Sequence, residues 1–204
     1  MKKNQLTAKK SRREGIALSD ASKHQRALTR RPFAPGVHGP DSRTRMTDYG
    51  KQLREKQKAK RMYGLNERQF SNLFAEMKSK MGDTSVKFIQ ALESRLDNVV
   101  YRSGLVKTRA AGRQAVSHAQ FLLNGKKHNI PSYRVRAGDV ITIRENKRNS
   151  ALWKDAEEKL SKSDKLSWIA VEPKTLSVKV TGVPTDKELQ QPFDVKMIVE
   201  FYSR

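Results

Sequence analysis

The chain has 204 residues, enough for one large domain or two small ones, and its 43 Lys and Arg against 21 Asp and Glu leave a net charge of +22. Hydrophobic residues make up 36% of it and aromatics 7%, so a core can form while much of the surface must meet something polar. There is no cysteine, which excludes disulfides, thiolate zinc sites and thiol nucleophiles, and no apolar run approaches the roughly 18 residues that a membrane-spanning helix needs.

The charge is uneven along the chain. Residues 1–61 hold 18 cations and 5 acids, residues 62–149 hold 16 and 7, and residues 150–204 hold 9 and 9. A basic N-terminal two-thirds beside a neutral remainder predicts a polyanion as partner for the first and ordinary protein contacts for the second.

In chain order, residues 1–42 read as an extended basic arm without a core of its own. Arg12-Arg13 and Arg30-Arg31 alternate with Ser, Ala and Thr, and Pro32, Pro35, Gly36, Gly39 and Pro40 impose a turning path around His38. Such an arm orders when laid on its partner, with these arginines and His38 as contacts. A helix is predicted from Tyr49 to Tyr63, with one basic stripe of Lys51, Arg54, Lys58 and Arg61 and little apolar surface, which suits phosphates better than a membrane. Asn66 with Gln69 makes a capping box for the next helix, whose Phe70, Leu73, Phe74, Met77 and Met81 form a core stripe ending at Gly82. One further helix is expected over about 85–102, burying Phe88, Ile89, Leu92, Leu96, Val99 and Val100.

Thr108 then caps a helix to about Ser117 that exposes Arg109 and Arg113. Phe121-Leu122-Leu123 runs into Asn124-Gly125, a type I′ hairpin signal, and strands are expected at Tyr133 to Val135 and Val140 to Ile143. Residues 150–161 read as one helix, and Trp168 to Val171 and Leu176 to Val180 as strands. Pro184 to Pro192 reads as a linker, and Asp194 to Tyr202 fits either a short helix or a strand.

No phosphate loop, dinucleotide fingerprint, nucleophile elbow or zinc-protease motif is present, and His24, His38, His118 and His128 are dispersed. Neither an enzyme nor a metal site nor a cofactor is therefore expected. Arginine forks can bridge phosphates of folded RNA, and Tyr49, Tyr63, Tyr101 or Tyr133 could stack on unpaired bases, although Tyr101 and Tyr133 fit a core equally well. No helix-turn-helix, zipper or zinc finger favours duplex DNA.

The strings RREG at 12–15, PFAPGVHGP at 32–40, DYGKQLREKQKAKRMYG at 48–64, RLDNVVYRSG at 95–104, TRAAGRQAVSHAQFLLNGKKHNIPSYRVRAGDVI at 108–141 and IVEFYSR at 198–204 stand in one order. In that order they resemble the bacterial form of the S-four family of small-subunit ribosomal proteins. The resemblance implies an α+β fold, a helical domain plus an inserted mixed α/β S-four RNA-binding domain behind the arm. The expected boundaries are 1–42 for the arm, 43–93 completed by 193–204 for the helical domain, 94–182 for the RNA-binding domain with its extension, and 183–192 for the linker.

It also implies a non-catalytic cytoplasmic protein of the ribosome. Such a protein binds a multi-helix junction in the 5′ domain of the 16S-type small-subunit rRNA, nucleates assembly of the subunit body, contacts ribosomal protein five and other small-subunit proteins, lies beside the channel for incoming mRNA and affects decoding accuracy. It takes no small-molecule substrate and meets no membrane. Implied RNA contacts are Arg54, Lys56, Lys58, Arg61, Tyr63, Thr108, Arg109, Arg113, Ser117, His118, Asn124, Lys126 and Lys127, with Arg43, Arg45 and Lys51 at the mRNA channel. Many family members carry a zinc knot in the arm; Ala8 and Ser11 stand at the first pair of its cysteine positions, so no zinc is expected. The S-four domain also occurs in RNA-modifying enzymes and in non-ribosomal RNA binders, which are the alternative readings.

Overall fold

The computed structural model of the chain describes residues 6–41, 45–154, 156–161, 166–184 and 191–203. In chain order its elements are α1 (Ala8–Glu14), α2 (Ser22–Arg30), α3 (Asp48–Met62), α4 (Glu67–Lys78), α5 (Thr84–Glu93), α6 (Leu96–Arg102), α7 (Arg109–Ser117), β1 (Phe121–Leu123), β2 (Lys126–His128), β3 (Val140–Ile143), α8 (Glu145–Arg148), α9 (Ala156–Ser161), β4 (Ile169–Glu172), β5 (Ser177–Val180) and α10 (Val195–Ser203). Helices together with one small antiparallel sheet make this an α+β protein. Two compact units result, one of the residues up to Ile89 together with those from Gln191 on, the other of residues 90–190.

Among the described residues of the first unit, Ala8–Glu14 and Ser22–Arg30 are helical where an extended arm is expected. Thr7 caps α1 by accepting a hydrogen bond from the Lys10 amide, and Gly15 ends it in the left-handed region at φ 71°. The seam of α1 with α2 is polar: Ser11 and His24 are both buried, with the hydroxyl 2.7 Å from the imidazole Nδ1, and Leu18 is buried in the connection. A polar seam has no hydrophobic period, so the pattern of residues 1–42 does not betray it.

α3 starts at Thr47, which accepts from the Gly50 amide, and α4 has the full reciprocal capping box of Asn66 and Gln69. The core behind them is aromatic. Phe88 meets Phe70 and Phe74 edge-on, with centroids 5.1 and 5.5 Å apart, and Tyr202 stacks on Phe74 at 4.7 Å. Residues 194–202, which periodicity left open between helix and strand, are helical: the Asp194 carboxylate accepts from the Lys196 and Met197 amides, and α10 packs on α3.

In the second unit the expected single helix over 85–102 is two. At the break Arg95 is extended (φ −67°, ψ 137°), the Leu96 amide donates to the Tyr133 carbonyl and the Val135 amide to the Ser94 carbonyl. Pairing with residues 133–135 takes the backbone groups that a continuous helix would need. On the other side, the strand expected at Tyr133 to Val135 is reduced to a single bridge, Arg95 to Arg134.

The sheet runs β2-β1-β3-β5-β4, every neighbour antiparallel. Asn124 and Gly125 make the β1–β2 turn at φ 50° and 79°, the two left-handed residues a type I′ turn requires. Leu96, Val99, Val100, Val116, Phe121, Ile141 and Val178 fill the core under it. The helix expected over 150–161 forms only as α9. Trp153 sits in turns closed by the Trp153 and Ala156 amides, its ring edge-on to Phe121 at 5.4 Å and its indole N–H on Gln120. Burying that ring bends the chain where the pattern alone would continue a helix. Most of the 183–192 linker lies outside the described residues.

Candidate nucleic-acid interface

In the first unit the basic stripe of α3 exists, and nearly every cation in it has a carboxylate partner. Arg54 and Arg61, seven residues apart on one face, both donate to Oε1 of Glu14 in α1, Arg54 at 3.2 Å. The Glu14 side chain is fully buried, and burial pushes its carboxyl above the usual range, opposed by the charges of Arg54, Arg61, Lys58 and Arg13. The two guanidiniums keep about a quarter of their surface exposed. Lys58 pairs with Glu55, and Lys51 with the exposed Asp48 at 3.0 Å, a surface pair that contributes little.

Two residues beside this stripe that the resemblance implies as RNA contacts are buried. Lys56 is buried, its ammonium 2.7 Å from Glu67 and 4.3 Å from the centre of the Phe201 ring, so it braces α3 against α4 and α10. Tyr63 is 4% exposed and packs edge-on to Phe193, leaving no face for a base. Desolvation would raise the carboxyl of Glu67, but hydrogen bonds from Lys56, Lys60 and Tyr202 outweigh it and hold it at about 2.

Around α1 and α2, Arg12 is held by the carbonyls of Arg31 and Phe33 and lies over the Phe33 ring, whereas Arg13, Arg30, Arg31 and His38 are exposed. Arg45 is exposed as well, and Arg43 lies outside the described residues. Ser11, at the position where the resemblance would put a zinc-ligating cysteine, is engaged by His24, and Ala8 has no donor atom. These residues do not make a zinc site.

In the second unit, α7 projects its arginines over two buried acids. Glu93 accepts from Nε and Nη2, one edge of the Arg102 guanidinium, at 2.8 and 2.9 Å, and Asn98 bridges it to Arg109, whose Nε donates to the Asn98 side-chain oxygen at 2.7 Å. The Arg109 guanidinium lies 4.5 Å from the Tyr101 ring centre, so this side chain is half structural. Asp97 takes Arg95 at 2.8 Å and Arg113 at 3.4 Å, and Arg113 keeps 35% of its side chain exposed. Gly112 lets α7 come this close to α6: a Cβ there would lie 2.6 Å from the Asp97 carbonyl oxygen.

Thr108 spends its hydroxyl on capping α7, and Asn124 spends its amide on Asp139 and the Val140 amide. Ser117, His118, Lys126 and Lys127 are exposed at the end of α7 and on the β1–β2 hairpin. The sequence offers Arg95 or Arg102 as partner of Asp97; the structure gives Asp97 to Arg95 and Arg102 to Glu93, whose anchoring role is not legible because nine residues separate the pair and no helical spacing marks it.

Comparison with known proteins is consistent across the chain. Residues 2–93 match the family model "Ribosomal protein S4/S9 N-terminal domain", and residues 94–141 match "S4 domain". The chain is 43% identical over 196 residues to small ribosomal subunit protein uS4 of Chlorobium limicola, covering 96% of each. It is 46% identical over 197 residues to the uS4 of Latilactobacillus sakei, again 96% of each, and 42% identical to that of Borrelia turicatae over all of this chain and 98% of the relative.

Proposed function

We propose that this chain, which belongs to the uS4 family of small ribosomal subunit proteins in its bacterial form, is a structural constituent of the small subunit that binds its ribosomal RNA and works on the ribosome in the cytoplasm. It is a non-enzymatic protein, as its family is. The observation that carries the reading is the unbroken similarity over 96% of both chains, spanning the helical unit and the S4 domain together. A modifying enzyme or a lone S4-domain binder would share the second match only.

The finer reading is a primary assembly protein. Exposed Arg13, Arg30, Arg31 and His38 of the first unit, with Arg54, Lys58 and Arg61, would meet one set of RNA phosphates, and Arg113, Ser117, His118, Lys126 and Lys127 another. Arginines pre-set on buried acids lose little freedom when they bind, which suits recognition of a folded junction by its shape. Arg45 and Lys51, with Arg43, would face incoming mRNA, and contact with ribosomal protein five would couple the protein to decoding accuracy.

Chemical footprinting of the full chain on small-subunit rRNA, with large-subunit rRNA and tRNA as competitors, tests this. Protection confined to one multi-helix junction in the 5′ domain is expected. Diffuse protection competed equally by all three RNAs would reject the specific reading and leave only charge attraction.

A further inference from the structure

Within the first unit, a cavity of about 460 Å³ opens between the end of α1, the chain at Ala34 and Met46, and the faces of α3 and α10. Its size falls in the range of about 300–1,000 Å³ typical of small-molecule sites. Its walls are of two kinds. Ala34, Met46 and Met197 are apolar, and methionine adapts its shape to a flat ring. Arg13, Lys51, Arg54 and Lys58 are cationic, with Arg13 exposed and in no ion pair among the described residues.

The two carboxylates of the wall do not cancel this charge at the surface. Glu14 is fully buried beneath Arg54, and Glu55 is spent on Lys58 and the Asp194 amide. Apolar side chains edged by several cations suit a planar heterocycle carrying a phosphate.

Building on the RNA-binding reading above, we infer that this cavity holds a single unstacked nucleotide of the bound RNA, its base between Met46 and Met197 and its phosphate on Arg13 and Arg54. Single-stranded positions are where RNA offers such a base, splayed out of its helix. A free mononucleotide has the same chemistry, so the test must separate the two sources.

The six methionines of the chain make it tractable. With ¹³C-methyl methionine in the full-length protein, the Met46 and Met197 signals should move on adding small-subunit rRNA, while those of Met62 and Met77, buried in the core, stay still. Ala34→Trp fills the slot from its apolar wall. It should abolish those shifts, weaken binding of the small-subunit rRNA roughly tenfold by loss of base stacking and one phosphate, and lower the salt slope by about one unit.

Shifts with AMP or GMP but none with RNA would overturn the inference in favour of a free-nucleotide site. Shifts with inorganic phosphate as large as those with AMP would reduce it to an anion site and overturn it too. If wild type binds small-subunit rRNA selectively while Met46 and Met197 do not move and Ala34→Trp binds equally well, the cavity inference fails and the ribosomal reading stands. If wild type shows no preference for that RNA, the ribosomal reading itself fails.

Discussion

Single residues in this protein do work that their type alone does not announce. His24 is an example: burial first, and the charge of Lys23 second, lower its pKa below the ordinary 6.5. The unfolded chain therefore takes up a proton below about pH 6.5 that the folded chain does not, so stability is present above that pH and declines below it. Amide exchange in α1 and α2 should accelerate, beyond its intrinsic pH dependence, as the pH falls from about 6.5 to about 5. His24→Asn should remove that trend; protection that is equally flat in wild type would show that the Ser11–His24 contact does not hold the two helices. Arg109 and Arg113 differ in the same way. Arg113→Ala should leave the melting midpoint nearly unchanged and flatten the salt dependence of RNA binding by roughly one unit. Arg109→Ala should lower the midpoint as well, because it strips Tyr101 and Asn98 of their partner. Equal midpoints for the two variants would contradict that distinction.

At the scale of elements, capping and turn chemistry were legible from neighbouring residues. The Asn66 capping box, the Thr108 cap and the Asn124-Gly125 turn all form where the sequence predicts them, since each involves groups within three or four positions. The stripe of Phe70, Leu73, Phe74 and Met77 in α4 was legible for the same reason, and it is core, whereas Met81, which the pattern added to it, lies past the end of the helix and is exposed. Phe74→Ala should destabilise the protein by about 3–5 kcal/mol in denaturant unfolding, and an unaltered midpoint would mean the ring is not packed as described. The approach of α7 to α6 was not legible. Gly112→Ala would press a methyl group onto the Asp97 carbonyl, a backbone atom that cannot rotate away, at a cost of about 1–3 kcal/mol. A variant as stable as wild type would show that α7 can slide to make room.

For the whole molecule, the outstanding property is how its positive charge is organised. A net charge of +22 would suit an arm that folds only on its partner, yet the described N-terminal residues carry two helices, α1 joined to α2 through Ser11 and His24 and to α3 through the buried Glu14. Glu14, Glu93 and Asp97 each neutralise part of the charge of two arginines while leaving guanidinium surface exposed. An RNA-binding protein built this way keeps its cations oriented before RNA arrives, and less of their rotamer entropy remains to be lost on binding.

The sequence by itself determined the family, the excess of positive charge, the caps and turns, and the apolar stripes that become the two cores. All of these are carried by composition or by residues a few positions apart. Only the tertiary structure decided which cations are available. Lys56 and Tyr63 belong to the interior, and Arg54 and Arg61 share a carboxylate 40 and 47 positions away. Tertiary structure also broke the helix at Arg95 and made residues 195–203 helical. Such choices rest on contacts between residues far apart in the chain, and those contacts leave no period in the sequence from which they could be read.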